Sequence, residues 1–391
     1  MKNIHLACDV GNGFTKSAIN DVELALQPTA ISKIIDSENN SRHIQSENQD
    51  INNIIDNIDK ELDINIVSNI INGEYLVGNS ALLARNTRTF NVNASANKAN
   101  SDISIIMTLG MITINYVKNY INKETKLPHN CQINVQLTTA LPIVEWQNAE
   151  HVKKLHSRYA DNNFVVTIRN FNKPVTLNIN FDKVLVASEG VVGTLALIYQ
   201  NNHHYHKADF YSDFIKNNNL KDTFNGKTLK EKYPIIVGID VGDGTTDISV
   251  TNNLKIIDDD IQFIDKGIGT AINNSITSLR KIGVEIKNRQ AFLEILPQST
   301  KLQESLNENL EPLFDDLDEK ITTIFSNRSN MVQLIYFHGA GATIIKNLYN
   351  DRLQKLIDNL DSLHLIDHKI MWLNQHNSQW LNLYGLELLN H

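Results

Sequence analysis

The sequence predicts an α/β protein built from two similar halves, and three observations carry that prediction. Short apolar runs of strand length alternate with longer segments whose apolar residues recur at helical spacing. Glycine-rich turns follow several of the strands, where ligands of α/β proteins usually sit. The third observation is a repeat. Asp9-Val10-Gly11-Asn12-Gly13-Phe14-Thr15 returns as Asp240-Val241-Gly242-Asp243-Gly244-Thr245-Thr246, with the Asp, the Val, both glycines and the final Thr in matching places. A length of 391 residues suits two or three domains, and 41% hydrophobic residues, 20% charged residues and 7 prolines imply no large disordered portion.

Each copy of the repeat follows a short apolar strand (residues 4–8 and 235–239) and precedes another (17–19 and 248–250). Each therefore reads as a β-hairpin with a glycine-rich tip and an acid at the end of its first strand. Glycines at alternate positions let backbone N–H groups point into the turn, which is how a loop cradles phosphate oxygens. Two such hairpins facing each other across a cleft would grip a polyphosphate and its metal from both sides. Such internal similarity signals related structural units.

Between the copies, residues 37–60 are polar and rich in Asn and Asp, and read as a surface loop or small subdomain. Runs at 67–71 and 74–77 flank Asn72-Gly73, the strongest short hairpin signal in the chain. Ile105, Ile106, Leu109, Ile112, Val117 and Tyr120 predict a helix over 102–121. A buried strand over 133–137 leads into Thr139-Ala140-Leu141-Pro142. A helix over 145–159 and strands over 163–169, 175–181 and 183–187 follow. Ser188-Glu189-Gly190 then ends a strand before a helix over 191–199.

Residues 201–233 show no convincing period and read as an insertion or a mobile loop. Their His203-His204-Tyr205-His206 lacks Cys or acid at ligand spacing, so a solvated loop is favoured over a metal site. After the second hairpin come a strand over 261–264, the turn Lys266-Gly267-Ile268-Gly269 and a helix over 270–282. A long amphipathic helix over 302–325 carries Pro312 as a kink or break. A strand over 332–337 runs into His338-Gly339-Ala340-Gly341-Ala342, followed by helices over 343–360 and 380–389.

A net charge of −8 argues against general affinity for nucleic acid. Cys8 and Cys131, the only cysteines, give no disulfide framework, and Cys8 reads as a small hydrophobe in the first strand. With no signal peptide, lipidation motif or apolar run of about 18 residues, a cytoplasmic protein is expected.

Taken in order, these motifs resemble those of the actin-type ATPase superfamily. The two hairpins are similar to its phosphate 1 and phosphate 2 motifs, and residues 337–342 to its adenosine motif. Ser188-Glu189-Gly190 resembles the segment that carries a water-positioning acid. Thr139-Ala140-Leu141-Pro142 with Glu145-Trp146, and the closing Asn382-Leu383-Tyr384-Gly385, resemble the branch of bacterial ParM-type plasmid-segregation actins. The resemblance implies an actin-like, ribonuclease H-like duplicated fold of two domains with a nucleotide cleft between them. It implies domain I over 1–187, domain II over 188–370, and a C-terminal helix over 371–391 returning to domain I.

It also implies roles. Asp9 and Asp240 would hold Mg²⁺, and backbone N–H groups at Gly11, Asn12, Gly13, Gly242, Asp243 and Gly244 would bind phosphates. Thr15, Thr245 and Thr246 could add hydroxyl contacts, Lys16 is placed to approach phosphate, and Lys266 and Gly267 pass near the nucleotide. Asp243 could contact ribose or metal-bound water. Gly339, Ala340 and Gly341 would let the adenosine lie against backbone. Glu189 would position the attacking water. The nucleotide is ATP, with GTP as an option. The implied activity is an ATPase whose nucleotide state controls filament assembly for plasmid segregation, joined to DNA by a separate adaptor protein rather than by direct binding, and without membrane attachment. Alternatives on the same fold are a sugar or carboxylate kinase, or a cell-shape or division actin homologue.

Overall fold

The computed structural model describes residues 2–20, 23–35, 51–90, 98–170, 174–200 and 203–390. The chain divides into two compact units, Met1–Glu189 with Leu386–His391, and Gly190–Gly385.

The first unit contains β1 (Lys2–Val10), β2 (Phe14–Ile19), β3 (Glu23–Pro28), β4 (Ile31–Ile34), β5 (Asp63–Val67), β6 (Asn72–Val77), β7 (Cys131–Leu141), β8 (Asn163–Ile168) and β9 (Val175–Ser188). They form one sheet in the order β3-β2-β1-β7-β9-β8-β5-β6-β4. The β1–β2 hairpin is antiparallel and sets Asp9 opposite Lys16, while β7 and then β9 extend the sheet in parallel. The helix Asp102–Glu124 is buried over most of its surface, starts at a Ser101 cap and ends at a left-handed Thr125. Its Ile105, Ile106, Leu109 and Ile112 are fully enclosed, each burial stabilising the unit by about 2 kcal/mol.

The second unit begins within the helix Glu189–Ile198, followed by the two-stranded pair β10 (Tyr199–Gln200) and β11 (His204–Tyr205). Its main sheet holds β12 (Ile235–Val241), β13 (Thr246–Asn252), β14 (Lys255–Ile256), β15 (Gln262–Ile264), β16 (Leu334–His338) and β17 (Lys369–Trp372), in the order β14-β13-β12-β16-β17 with β15 also on β13. An antiparallel hairpin followed by two parallel strands is therefore built twice: β2-β1-β7-β9 in one unit, β13-β12-β16-β17 in the other. The duplicated motif is the visible part of a duplicated topology.

Several expectations need correction. Of the predicted loop at 37–60, the end is the helix Ile51–Glu61, and residues 36–50 lie outside the described residues. Asn72-Gly73 is not the turn, because both residues belong to β6 and pair with Val67 and Ile66. The chain reverses over 68–71 instead. The Ser68 hydroxyl accepts from the Ile71 N–H at 2.9 Å, and the Asn72 side-chain carbonyl takes the Ser68 N–H at 3.2 Å. Side-chain bonds to the backbone build this four-residue turn, so Asn72 acts as its clasp.

The two strands expected over 175–187 are one strand, β9, with Asp182 as an extra residue where the register to β7 shifts. The helix expected over 145–159 is two helices, Ile143–Trp146 and Ala149–Ala160, the second restarted by an Asn148 cap. Residues 203–233 are structured. Helices Ser212–Asn217 and Gly226–Lys232 and the residues flanking them bring Tyr211, Phe214, Phe224 and Tyr233 into a buried aromatic cluster, and such short helices leave no long-range period to read. Pro312 does not break its helix, which runs from Thr300 to Asn327. Pro312 lies on the exposed face, where water can satisfy the carbonyl left without its N–H partner.

Candidate functional site

In the first unit, β1 ends at a buried Asp9, and the Lys16 ammonium lies 2.9 Å from its carboxylate. The hairpin tip is closed by the Gly11 N–H donating to the Phe14 carbonyl at 3.1 Å. Thr29 braces the tip from below: its hydroxyl donates to the Gly11 carbonyl at 2.7 Å and its N–H to the Gly13 carbonyl at 3.0 Å. Gly11, Asn12, Gly13 and Lys16 are all partly exposed at this tip. Thr15 is not. It is fully buried, with its hydroxyl 2.9 Å from that of Thr29, so it supports the loop from inside. Strand alternation turns Thr15 inward and Lys16 outward.

The second unit repeats the hairpin with different supports. The Gly242 N–H donates to the Thr245 carbonyl at 2.9 Å, matching the first tip. Asp240 closes β12, and the Asn382 side-chain amide donates to its carboxylate at 2.7 Å. The buried His338 imidazole stands 3.8 Å from the same oxygen. Beyond His338 the chain turns through Gly339 at φ +86°, packing its backbone against Asp240 and Val241. The turn is pinned by the Gly341 N–H on the Val241 carbonyl at 2.9 Å, and by the Ser378 hydroxyl on the Gly339 carbonyl at 2.8 Å. Ala340 is exposed at its tip.

The segment after β15 joins this cluster. The Ile268 and Gly269 N–H groups donate to the carbonyls of Gly242 and Asp243 at 3.0 and 2.7 Å. Gly267 thus sits beside the hairpin, and within the tip Gly244 is buried and Thr245 half-buried. Thr246 is buried and donates to the Lys266 carbonyl at 2.9 Å. The Lys266 ammonium turns to Asp316 at 2.6 Å. Asp243 is gripped by Arg289 at 2.5 Å to both carboxylate oxygens.

Glu189 is the first residue of the helix Glu189–Ile198, directly after β9, where the helix N-terminus favours a carboxylate. It is buried, and the Lys98 ammonium, equally buried, lies 2.9 Å from Oε1. Glu145, also buried, accepts the backbone N–H groups of Lys98 and Ala99 at 2.9 and 3.1 Å.

Lys98, Arg289, Thr29 and Asn382 are the site neighbours that motif reading did not assign. Lys98 follows a polar stretch with no periodic signal, and Arg289 meets Asp243 only through the fold. Each hairpin, taken by itself, sets a carboxylate beside a glycine-rich tip, a chemistry suited to a hard cation and to phosphate oxygens.

Comparison with known proteins gives the class. Residues 7–191 match the family model described as the actin like proteins N terminal domain. No curated protein sequence matches the chain. Among solved structures, the actin-like protein Alp7A superposes with a TM-score of 0.69 at 16% identity, covering 99% of this chain and 96% of that one. A 15-stranded ParM filament from Clostridium botulinum matches at 0.63 and 18%, covering 100% and 99%. Bacillus thuringiensis ParM with ATP matches at 0.60 and 14%, covering 100% and 98%. The chain has the actin-like fold, and the family match falls on its first half.

Proposed function

We propose that this chain is an actin-like ATPase whose nucleotide state governs assembly into filaments, and that the filaments segregate plasmid DNA. The observation that carries the nucleotide reading is the duplicated hairpin, each copy ending its first strand in an acid and closing its tip through the same Gly N–H bond. The same class of ligand is present in the Bacillus thuringiensis ParM structure.

Both hairpins bind the β- and γ-phosphates through backbone N–H groups, and Lys16 adds a positive charge beside the first tip. Asp9 and Asp240 would hold Mg²⁺, which when bound supplies charge neutralisation at the phosphates. The Gly339–Gly341 turn receives the adenosine against bare backbone. Glu189 orients a water for attack on the γ-phosphorus, and accepts its proton as the bond to the ADP oxygen breaks.

Filaments follow from a head-to-tail contact whose rotation does not close. The Clostridium botulinum ParM is itself a filament, which favours self-association. A net charge of −8 suits attachment to DNA through an adaptor, in the cytoplasm.

The test is light scattering with pelleting, run with Mg-ATP, Mg-GTP, Mg-ADP and no nucleotide, alongside phosphate release. Assembly with a triphosphate that decays as phosphate appears is the expected result. Glu189→Gln should lower turnover by about 10²- to 10³-fold while ATP affinity stays within about threefold. Bound nucleotide with no assembly at several micromolar would overturn the filament reading.

A further inference from the structure

We propose that Lys98 is the positioning residue for Glu189, and that Glu145 in turn fixes Lys98. The three residues make one device behind the water-orienting carboxylate. This inference rests on the role of Glu189 given above and adds how that carboxylate is held.

The geometry is unusually complete. Lys98 Nζ is 2.9 Å from Glu189 Oε1, with side chains 5% and 9% exposed. The base of the lysine arm is fixed on both sides of its peptide. Glu145 takes the N–H groups of Lys98 and Ala99 with its two oxygens. The Ser104 hydroxyl donates to the Lys98 carbonyl at 2.8 Å, and Arg158, held by Asp102 at 2.5 Å, donates to the Ala99 carbonyl at 3.5 Å. A long flexible side chain is therefore launched from a clamped backbone toward one oxygen of one acid.

Fold stability alone does not account for this arrangement. Replacing a buried ion pair by apolar residues of similar volume is often neutral or stabilising, because both charges must be desolvated. What the pair supplies is direction and charge. An ammonium fixed on Oε1 sets the plane of the carboxylate that orients water and places a counter-charge beside it. Glu145 acts at one remove, by placing the lysine backbone, and touches the reaction only through Lys98.

The experiment uses the full chain as wild type, Lys98→Met, Lys98→Arg, Glu189→Gln and the double variant Lys98→Met/Glu189→Gln. Single-turnover phosphate release at saturating Mg-ATP is measured beside ATP affinity. Lys98→Met should lower the chemical step by about 10- to 100-fold with affinity within about threefold. Lys98→Arg, which keeps the charge but moves it, should recover part of the loss. In the double variant, the second substitution should cost nothing beyond Glu189→Gln, since the lysine acts through the glutamate. That variant buries no unpaired charge, so it reports even where Lys98→Met alone is poorly folded.

Additive losses in the double variant, or lost ATP affinity with an unchanged chemical step, would overturn the role of Lys98. So would full turnover in Lys98→Met while Glu189→Gln is inactive, an outcome that leaves the reading of Glu189 standing. Full turnover in Glu189→Gln would instead remove that reading itself, and this inference with it.

Discussion

Replacing Gly339 with Ala tests the turn proposed to receive the adenosine. Gly339 has φ +86°, a conformation that costs an L-residue about 1–2 kcal/mol. Its added Cβ would also run into the Asp240 carboxylate, and would stand 2.6 Å from the Val241 carbonyl oxygen. That carbonyl already accepts the Gly341 N–H, so it cannot withdraw without breaking the turn. Overpacking of this kind adds about 1–3 kcal/mol, giving a total of about 3 kcal/mol and a fall in Tm of about 6–12 °C. Gly283 is the control. Its φ of +79° carries the same conformational cost, yet nothing lies within 4 Å of its Cβ position, so Gly283→Ala should cost only about 1–2 kcal/mol. Thermal melts followed by circular dichroism, with ATP affinity by calorimetry, separate the two. Gly339→Ala should melt lower than Gly283→Ala and, by displacing Asp240, bind Mg-ATP about tenfold more weakly. Equal melts with unchanged affinity in both variants would refute the claim that this turn and Asp240 form one unit.

Two further predictions use titratable groups. Burial pushes the Cys8 thiol up to about 12, and only the thiolate is nucleophilic. Iodoacetamide at about pH 8 should therefore alkylate the partly exposed Cys131 and spare Cys8 until the protein unfolds, and two adducts on native protein by intact mass would contradict this. The Ile366 N–H, then the Leu365 N–H and His368, hold the Asp361 carboxyl below its ordinary 3.8 against the opposing effect of burial. A depressed folded value contributes stability that is complete above the unfolded pKa and is lost as pH falls through the folded one. Urea midpoints measured from pH 6 down to 3 should fall more steeply below about 4 in wild type than in Asp361→Asn, and parallel curves would show that the loop makes no such contribution.

How much of this was legible in the sequence depends on the reach of each interaction. Both hairpins could be read because strand, glycine tip and terminal acid are contiguous, and because the copy at Asp240 doubles the signal at Asp9. Long helices could be read for the same reason: the buried stripe of the 28-residue helix Thr300–Asn327 persists across Pro312. What failed was local chemistry that competes with a strong dipeptide signal. Asn72-Gly73 favours a tight turn, yet the Asn72 side chain bonds both the N–H and the carbonyl of Ser68 and places the reversal over 68–71. The site neighbours were hidden because they arrive from far along the chain. Lys98 is 91 residues from Glu189 and Asn382 is 142 from Asp240, and no spacing rule spans such intervals.

Different partners make the two acids unequal, although their motifs are nearly identical. Asp9 faces a cation, with Lys16 2.9 Å away and only 13% of that side chain exposed. Asp240 faces a neutral donor, the Asn382 amide at 2.7 Å. Asp9→Asn leaves an ammonium beside an amide that cannot balance it. Breaking a fully buried pair costs about 3–5 kcal/mol, and the partial exposure of Lys16 reduces this to about 2 kcal/mol. In Asp240→Asn the new amide oxygen can still accept the Asn382 N–H, so about 1 kcal/mol or less is expected. On the proposed role of Asp9 and Asp240 in holding Mg²⁺, both substitutions should abolish the magnesium dependence of ATP binding. Asp9→Asn should also lower the melting temperature of nucleotide-free protein further, by about 4–8 °C against about 2–4 °C or less for Asp240→Asn. If the two apo proteins melt alike, Lys16 is not held by Asp9 in solution, and its charge is free to be explained in some other way. If they differ as expected, the two copies of the motif are alike in what they offer a nucleotide and different in what holds them before one arrives.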